Sequence, residues 1–155
     1  MDSLRIIRIR KGIRVKVKVV ETSEERQQAF NVRTNVFVNE QNVPPDIELD
    51  AFDEEAIHLI GFENDTPIAA SRVRFVDAYG KLERICVLRD RRGNFYGKQL
   101  IQEMEDIIVN EGYTKAKLNA QTHALDFYRN LGYKIVSEEF MDAGIPHVTM
   151  VKELT

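Results

Sequence analysis

Residues 13–20, Ile-Arg-Val-Lys-Val-Lys-Val-Val, alternate apolar and basic side chains with the two-residue period of a strand exposed on one face. An edge strand is expected there. Residues 4–9 are either its hairpin partner across Lys11-Gly12 or a loose tail. Thr22-Ser23-Glu24-Glu25 is a capping-box signature that starts a helix running toward Val38. On that helix Phe30, Arg33, Val36 and Phe37 share one stripe, so Arg33 projects from the face that should meet the core. An arginine so placed must meet a carboxylate, line a cavity or snorkel to water from an edge.

From Ala56 onward the texture is strands and turns. Residues 57–62, 67–76 and 81–88, separated by Asn64-Asp65 and Tyr79-Gly80, read as an antiparallel meander of three. Leu100, Ile101, Met104, Ile107 and Ile108 then form a helical stripe that Gly112 ends. Residues 113–120 return as a strand, 124–131 as a short helix, and 133–137 and 147–151 as strands. The order predicts an α/β (α+β) fold: a central mixed sheet, antiparallel at first and parallel where the long helix crosses over, with helices on both faces.

Composition narrows the class. At 155 residues with one cysteine, Cys86, the chain is of single-domain size and has no disulfide framework, which suits a reducing compartment. The N-terminal residues are broken by charge every two or three positions, so a soluble, cytoplasmic protein is expected, with no membrane partner. A net charge of −3 argues against a broad nucleic-acid footprint. Charge is uneven along the chain: residues 5–18 hold seven of the basic residues and no acid, whereas Asp46, Glu48, Asp50, Asp53, Glu54 and Glu55 crowd a long Pro44-Pro45 connection. Both runs read first as solvated surface, and the long connection also as a functional loop.

Three places carry candidate chemistry. Residues 83–100 read as a strand that breaks at a basic, glycine-punctuated turn and re-emerges as a helix, an anion-binding layout in which backbone N–H groups and Arg91, Arg92 and Lys98 converge. Glu83-Arg84 puts opposite charges inside a central strand, one expected on each face. A carboxylate withdrawn from water there has a raised pKa and suits a general base; the competing reading is an ion pair with Arg33, Arg72 or Arg74. Tyr128, on the short helix, is either core or a phenolic proton donor. His58, His123 and His147 lack metal-ligand spacing, so no metal is expected, and Cys86 reads as a small buried hydrophobe rather than a nucleophile.

Arg92-Gly93-Asn94-Phe95-Tyr96-Gly97 resembles the acyl-CoA pyrophosphate loop of the GNAT N-acetyltransferase superfamily, and Ala124-x-x-Phe127-Tyr128-x-x-x-Gly132-Tyr133 resembles its C-terminal motif. Three further segments are similar to small, single-domain bacterial members: Arg33-x-x-Val36-Phe37-x-x-Glu40-Gln41, Leu118-Asn119-Ala120-Gln121-x-His123-Ala124, and Asp142-Ala143-Gly144-Ile145-Pro146-His147. The resemblance implies a GNAT-like domain over residues 13–155, with residues 1–12 an N-terminal extension or extra strand.

It further implies transfer of an acetyl group from acetyl-CoA to a primary amine of a small molecule by direct attack. The main chain of Cys86, Val87 and Leu88 would line the pantetheine arm, and Arg92, Gly93, Asn94, Phe95, Tyr96, Gly97 and Lys98 would hold the pyrophosphate. Gln121 would contact the cofactor, Tyr128 would protonate the thiolate, Glu83 would act as base, and Val87 N–H would face the oxyanion. Arg33, Glu40, His123 and His147 fall to the acceptor side, and the acidic run suggests a cationic acceptor such as a polyamine or an amino sugar. Phe95 departs from the pattern, standing where the family has a glycine; its ring must turn into the helix packing if the loop is to work. A CoA-binding regulatory protein with weak or lost catalysis is the alternative, and a basic-arm nucleic-acid binder using residues 5–18 a third. The chain is expected to be a monomer or homodimer.

Overall fold

The computed structural model describes residues 5–7 and 14–154. The capping box closes as its residues require: Thr22 Oγ1 accepts the Glu25 N–H at 3.1 Å, and Glu25 Oε1 accepts the Thr22 N–H at 3.3 Å. Helix α1 (Ser23–Arg33) follows and widens into π-helical turns over Thr34–Glu40, where the Gln41 N–H reaches back to Val36 O. The expected helix toward Val38 is therefore present but changes its winding. Such widening re-aims side chains and has no periodicity signature of its own.

Strands β1 (Arg5–Ile7) and β2 (Val15–Val19) pair antiparallel, Arg5 opposite Val17, as a hairpin would; the Lys11-Gly12 turn lies outside the described residues. A short helix α2 (Pro45–Glu48) and a 3₁₀ turn (Ala51–Glu54) shape the acidic connection. The meander is β3 (Ile57–Glu63), β4 (Thr66–Val76) and β5 (Tyr79–Val87), and α3 (Tyr96–Asn110) crosses over to β6 (Lys115–Gln121). Helix α4 (Leu125–Asn130), β7 (Lys134–Ile135), β8 (Phe140–Asp142) and β9 (Ile145–Glu153) complete the chain. Strand β8, not foreseen, arises because the Ala143-Gly144 turn, with φ of 51° and 77°, folds it back onto β9.

The sheet runs β1-β2-β3-β4-β5-β6-β9-β7, with β8 also on β9. As the element order predicts, pairing is antiparallel up to β5 and parallel between β5 and β6. Neighbouring residues on one strand serve opposite cores. Leu59 and Ala69 pack with Leu100, Met104 and Ile108 of α3, while Ile60 and Ala70 pack with Ala29, Val32 and Val36 on the other face.

Two irregularities create the site. Parallel pairing covers only Gly80–Leu82 against Ala116–Leu118, and beyond Leu82 the strands diverge. In addition, β5 carries one extra residue: Arg72 opposes Glu83 and Ala70 opposes Cys86, so Ser71 alone faces Arg84 and Ile85. Arg84 takes up the excess at φ 56°. Parity then flips, so Leu82 belongs to the α3 core but Cys86, four residues on, to the α1 core. The expectation that Glu83 and Arg84 occupy opposite faces is thereby corrected. Glu83 bonds Arg72 and Arg74, Arg84 bonds the α2 segment, and both lie on the α1 face.

Candidate functional site

Divergence of β5 and β6 opens a cavity of about 1060 Å³, bordered by the end of β5, the Arg92 turn, α4 and the acidic connection. Successive N–H groups of a strand point to opposite sides, and the Leu88 N–H is engaged by Ile68 O on β4 at 2.9 Å. The Val87 N–H therefore faces the gap. Val87 O faces it too, and accepts a hydrogen bond from Arg92 Nε at 2.9 Å. Of the three residues expected to offer main chain to a pantetheine arm, Val87 turns its main chain to the gap; Cys86 and Leu88 turn theirs to β4.

The basic turn has the anticipated form. Helix α3 begins at Phe95 without a side-chain cap, and its first intrahelical bond is Gln99 N–H to Phe95 O, leaving the Gly97 and Lys98 N–H groups at the open first turn, where an anion could sit. Lys98 is exposed on the cavity rim and pairs with no acid among the described residues. Asn94 braces the turn through its side-chain amide to Arg91 O at 3.0 Å, and Gly93 adopts φ 84°. Gly97 is small for packing: a Cβ there would meet the Phe127 ring at 3.3 Å. The Tyr96 ring is buried and its hydroxyl donates to Glu63.

Phe95 sits at φ 66°, ψ 12°, the left-handed region that favours glycine. Its ring is 69% exposed at the cavity rim rather than turned into the helix packing. The expectation that the ring turns into the helix packing is thereby corrected; the anion donors of the turn are backbone N–H groups, which a phenylalanine retains.

Arg92 and Glu40 meet in a two-pronged pair, both contacts 2.7 Å, which holds the Glu40 carboxyl below the usual carboxylate range. Glu40 thus stands beside the basic turn rather than on the acceptor side. Gln121 donates to Gln41 at 3.0 Å and accepts from His123 Nε2 at 2.6 Å, tying the π-helical segment to the end of β6. His147 lies opposite Gln121 on β9, is 8% exposed, and borders the cavity. Its Nδ1 is 2.7 Å from Ile145 O, and since a carbonyl only accepts, Nδ1 donates to it.

Tyr128 borders the same cavity, edge-on to Phe127 and Tyr133 at ring separations of 5.1 and 6.1 Å. Burial pushes its phenol up to about 12, so it holds its proton across neutral pH. Burial likewise pushes the Cys86 thiol up to about 12, and Cys86 Sγ leans on Ala70 O at 3.6 Å, so the residue is inert packing. No group of three His, Cys, Asp or Glu side chains is placed to hold a metal among the described residues.

The acceptor side departs most from expectation. Arg33 is fully buried, donating to Glu48 Oε1 at 2.6 Å and to Asp53 Oδ1 at 2.7 Å. It does not line this cavity, so its reading as a substrate contact is corrected to an internal ion pair. Arg72 bonds Asp50, Asp53 and Glu83 at 2.7, 2.8 and 2.9 Å. Glu48, Asp50 and Asp53, half of the acidic run, are thus neutralised within the fold rather than presented as a steering surface.

Glu83 is a member of this network, not a raised base. Burial alone would raise its carboxyl, but hydrogen bonds from Arg74 and the charges of Arg72 and Lys81 outweigh burial and hold it at about 2. The sequence located the demand for carboxylates, through Arg33 on an apolar stripe. It did not pair them, because the partners lie 15 and 20 residues away in a connection without periodicity.

Comparison with known proteins agrees with this geometry. Residues 20–154 match the family model for the acetyltransferase (GNAT) domain. The chain is 42% identical over 140 residues to the uncharacterized N-acetyltransferase YjcF of Bacillus subtilis, covering 90% of this chain and 100% of that one. Its fold is similar to the crystal structure of Escherichia coli ElaA, with a TM-score of 0.79 and 25% identity over 90% of this chain and 99% of that chain. The fold is also similar to that of the PaiA N-acetyltransferase of Thermoplasma acidophilum, solved in complex with coenzyme A. There the TM-score is 0.64, with 16% identity over 88% of this chain and 98% of that chain.

Proposed function

From the premise that the chain belongs to the GNAT acetyltransferase family, we propose that it transfers an acetyl group from acetyl-CoA to a primary amine by direct attack. The observation that carries this reading is the Val87 N–H facing an open β5–β6 gap on the same cavity as a protonated Tyr128. Residues 13–155 act as one acetyltransferase domain and residues 1–12 as its extension.

The residues present fit the co-substrate. The diverging edge of β5 offers main chain to an extended pantetheine arm, as a further strand would pair. The uncapped start of α3, with Lys98 beside it, suits the pyrophosphate. Arg92 joins it by exchanging Glu40 for phosphate oxygens. When bound, acetyl-CoA supplies the activated acyl carbonyl.

His147 Nε2 takes a proton from the acceptor ammonium and passes it to solvent. The Val87 N–H then donates to the carbonyl oxygen as negative charge develops there. As the nitrogen–carbon bond forms and the carbon–sulfur bond breaks, Tyr128 donates its proton to the sulfur. The proton shed by the new amide nitrogen restores the phenol.

Following free thiol over a panel of primary amines tests the scheme. Tyr128→Phe is expected to lower kcat by about 10² or more while leaving CoA affinity within about twofold. Unchanged turnover in that variant overturns the assignment, and CoA binding without thiol release from any amine favours a regulatory CoA-binding role.

A further inference from the structure

Among the carboxylates of the buried ion network, one oxygen has no donor among the described residues. Glu48 is 1% exposed and borders the cavity. Its Oε1 accepts from Arg33 Nε at 2.6 Å and lies 3.6 Å from Arg84 Nε, but Oε2 is buried with no hydrogen-bond donor among the described residues. A buried carboxylate oxygen without a donor costs about 1–3 kcal/mol, so native folds rarely keep one without a use.

Its surroundings select what fits. Phe37, Val43 and Ile47 supply apolar wall close in sequence to Glu48, and Ile145 adds more from β9. Arg84 and Lys81 also border the cavity and are both cationic. Arg84 is desolvated and sits near Arg72 and Arg33, which disfavour its charged form, and near Glu48 and Asp50, which favour it.

We infer that Glu48 Oε2 receives the ammonium group of the acceptor, and that the acceptor is a primary amine with one positive charge on an apolar body. This rests on the transferase reading and narrows it. A second ammonium on the same molecule would face Arg84 and Lys81. Polyamines and amino sugars with several cationic groups are thereby disfavoured, contrary to what the acidic run suggested.

The test is a calorimetric titration of hexylamine, 1,6-diaminohexane and hexanol into protein saturated with CoA, with and without Glu48→Gln. Hexylamine is expected to bind the wild type at least tenfold more tightly than the diamine. Glu48→Gln is expected to weaken hexylamine at least tenfold, leaving hexanol and CoA affinities unchanged. The inference is overturned if hexylamine fails to bind the wild type, if the diamine binds equally well, or if the folded variant binds hexylamine as the wild type does. Should the variant lose CoA affinity with its fold, the wild-type amine and diamine comparison decides alone. Glu48-dependent amine binding without any thiol release from acetyl-CoA sinks the transferase reading and leaves the ammonium site standing.

Discussion

Replacing Glu83 with glutamine separates a structural clamp from a catalytic base. Glu83 Oε1 accepts from Arg72 Nε at 2.9 Å and from Arg74 Nε at 2.7 Å, while Oε2 accepts from Arg74 Nη2 at 3.1 Å and lies 3.2 Å from Lys81 Nζ. The side chain is 12% exposed, so solvent screens these contacts little. A carboxyl that ordinarily titrates at 4.5 and is held at about 2 contributes about 3 kcal/mol to folding at neutral pH. Because the folded value lies below the unfolded one, that contribution is complete above about pH 5 and is lost as pH falls toward 2. Arg72 keeps Asp50 and Asp53 in the variant, and Arg74 keeps the exposed Glu55 at 3.7 Å and the Phe52 ring, whose centroid lies 3.8 Å from its guanidinium carbon. A loss of about 2–3 kcal/mol is therefore expected, below the 3–5 typical when a buried charge is stranded outright.

Urea unfolding at pH 7, repeated down to pH 3, reads the effect directly. Glu83→Gln should lower the midpoint at pH 7 and flatten the decline of stability below pH 5. Thiol release by the folded fraction should stay within about tenfold of wild type, whereas loss of a general base costs about 10²–10⁴. A variant as stable as wild type to within 0.5 kcal/mol, or one that folds normally and loses turnover a hundredfold or more, would refute the clamp.

Two further substitutions probe the backbone geometry of the site. Phe95→Gly relieves a left-handed residue, about 1–2 kcal/mol of strain, at a position where little ring packing is lost; set against the extra chain entropy of glycine, a Tm equal to wild type or about 1–3 °C higher is expected. A drop of more than 3 °C by differential scanning calorimetry would mean that the ring packs in a way its exposure conceals. Gly80→Ala places a Cβ 2.3–2.6 Å from the Ile108 side chain, which is fully buried between α3 and β5. A loss of about 1–3 kcal/mol is expected, restored in part by adding Ile108→Val; a double-mutant cycle with no coupling would place the damage elsewhere.

Local patterns were legible in the chain alone. Capping residues at Thr22 and Glu25, two-residue alternation in β2, the Leu100–Ile108 stripe of α3 and the turn at Arg92 each depend on neighbours within a few positions. Near-neighbour geometry is therefore enough to place them, and with them the element order and the basic turn before α3. That Arg33 must meet a carboxylate, line a cavity or reach water was also legible, since burial of a lone charge is prohibitive whatever the fold; which of the three holds was not.

Tertiary structure alone decided which carboxylates answer that demand, and what is left over. A single extra residue at Arg84 reverses side-chain parity along β5, puts Glu83 and Arg84 on one face, and turns a presumed base into the clamp of a five-cation network. No period in the sequence marks a bulge, because the same residues fit a regular strand equally well until a partner strand fixes their register. The same long-range pairing draws Glu48 inward and leaves its second oxygen facing no donor among the described residues, an outcome no local pattern in the connection encodes.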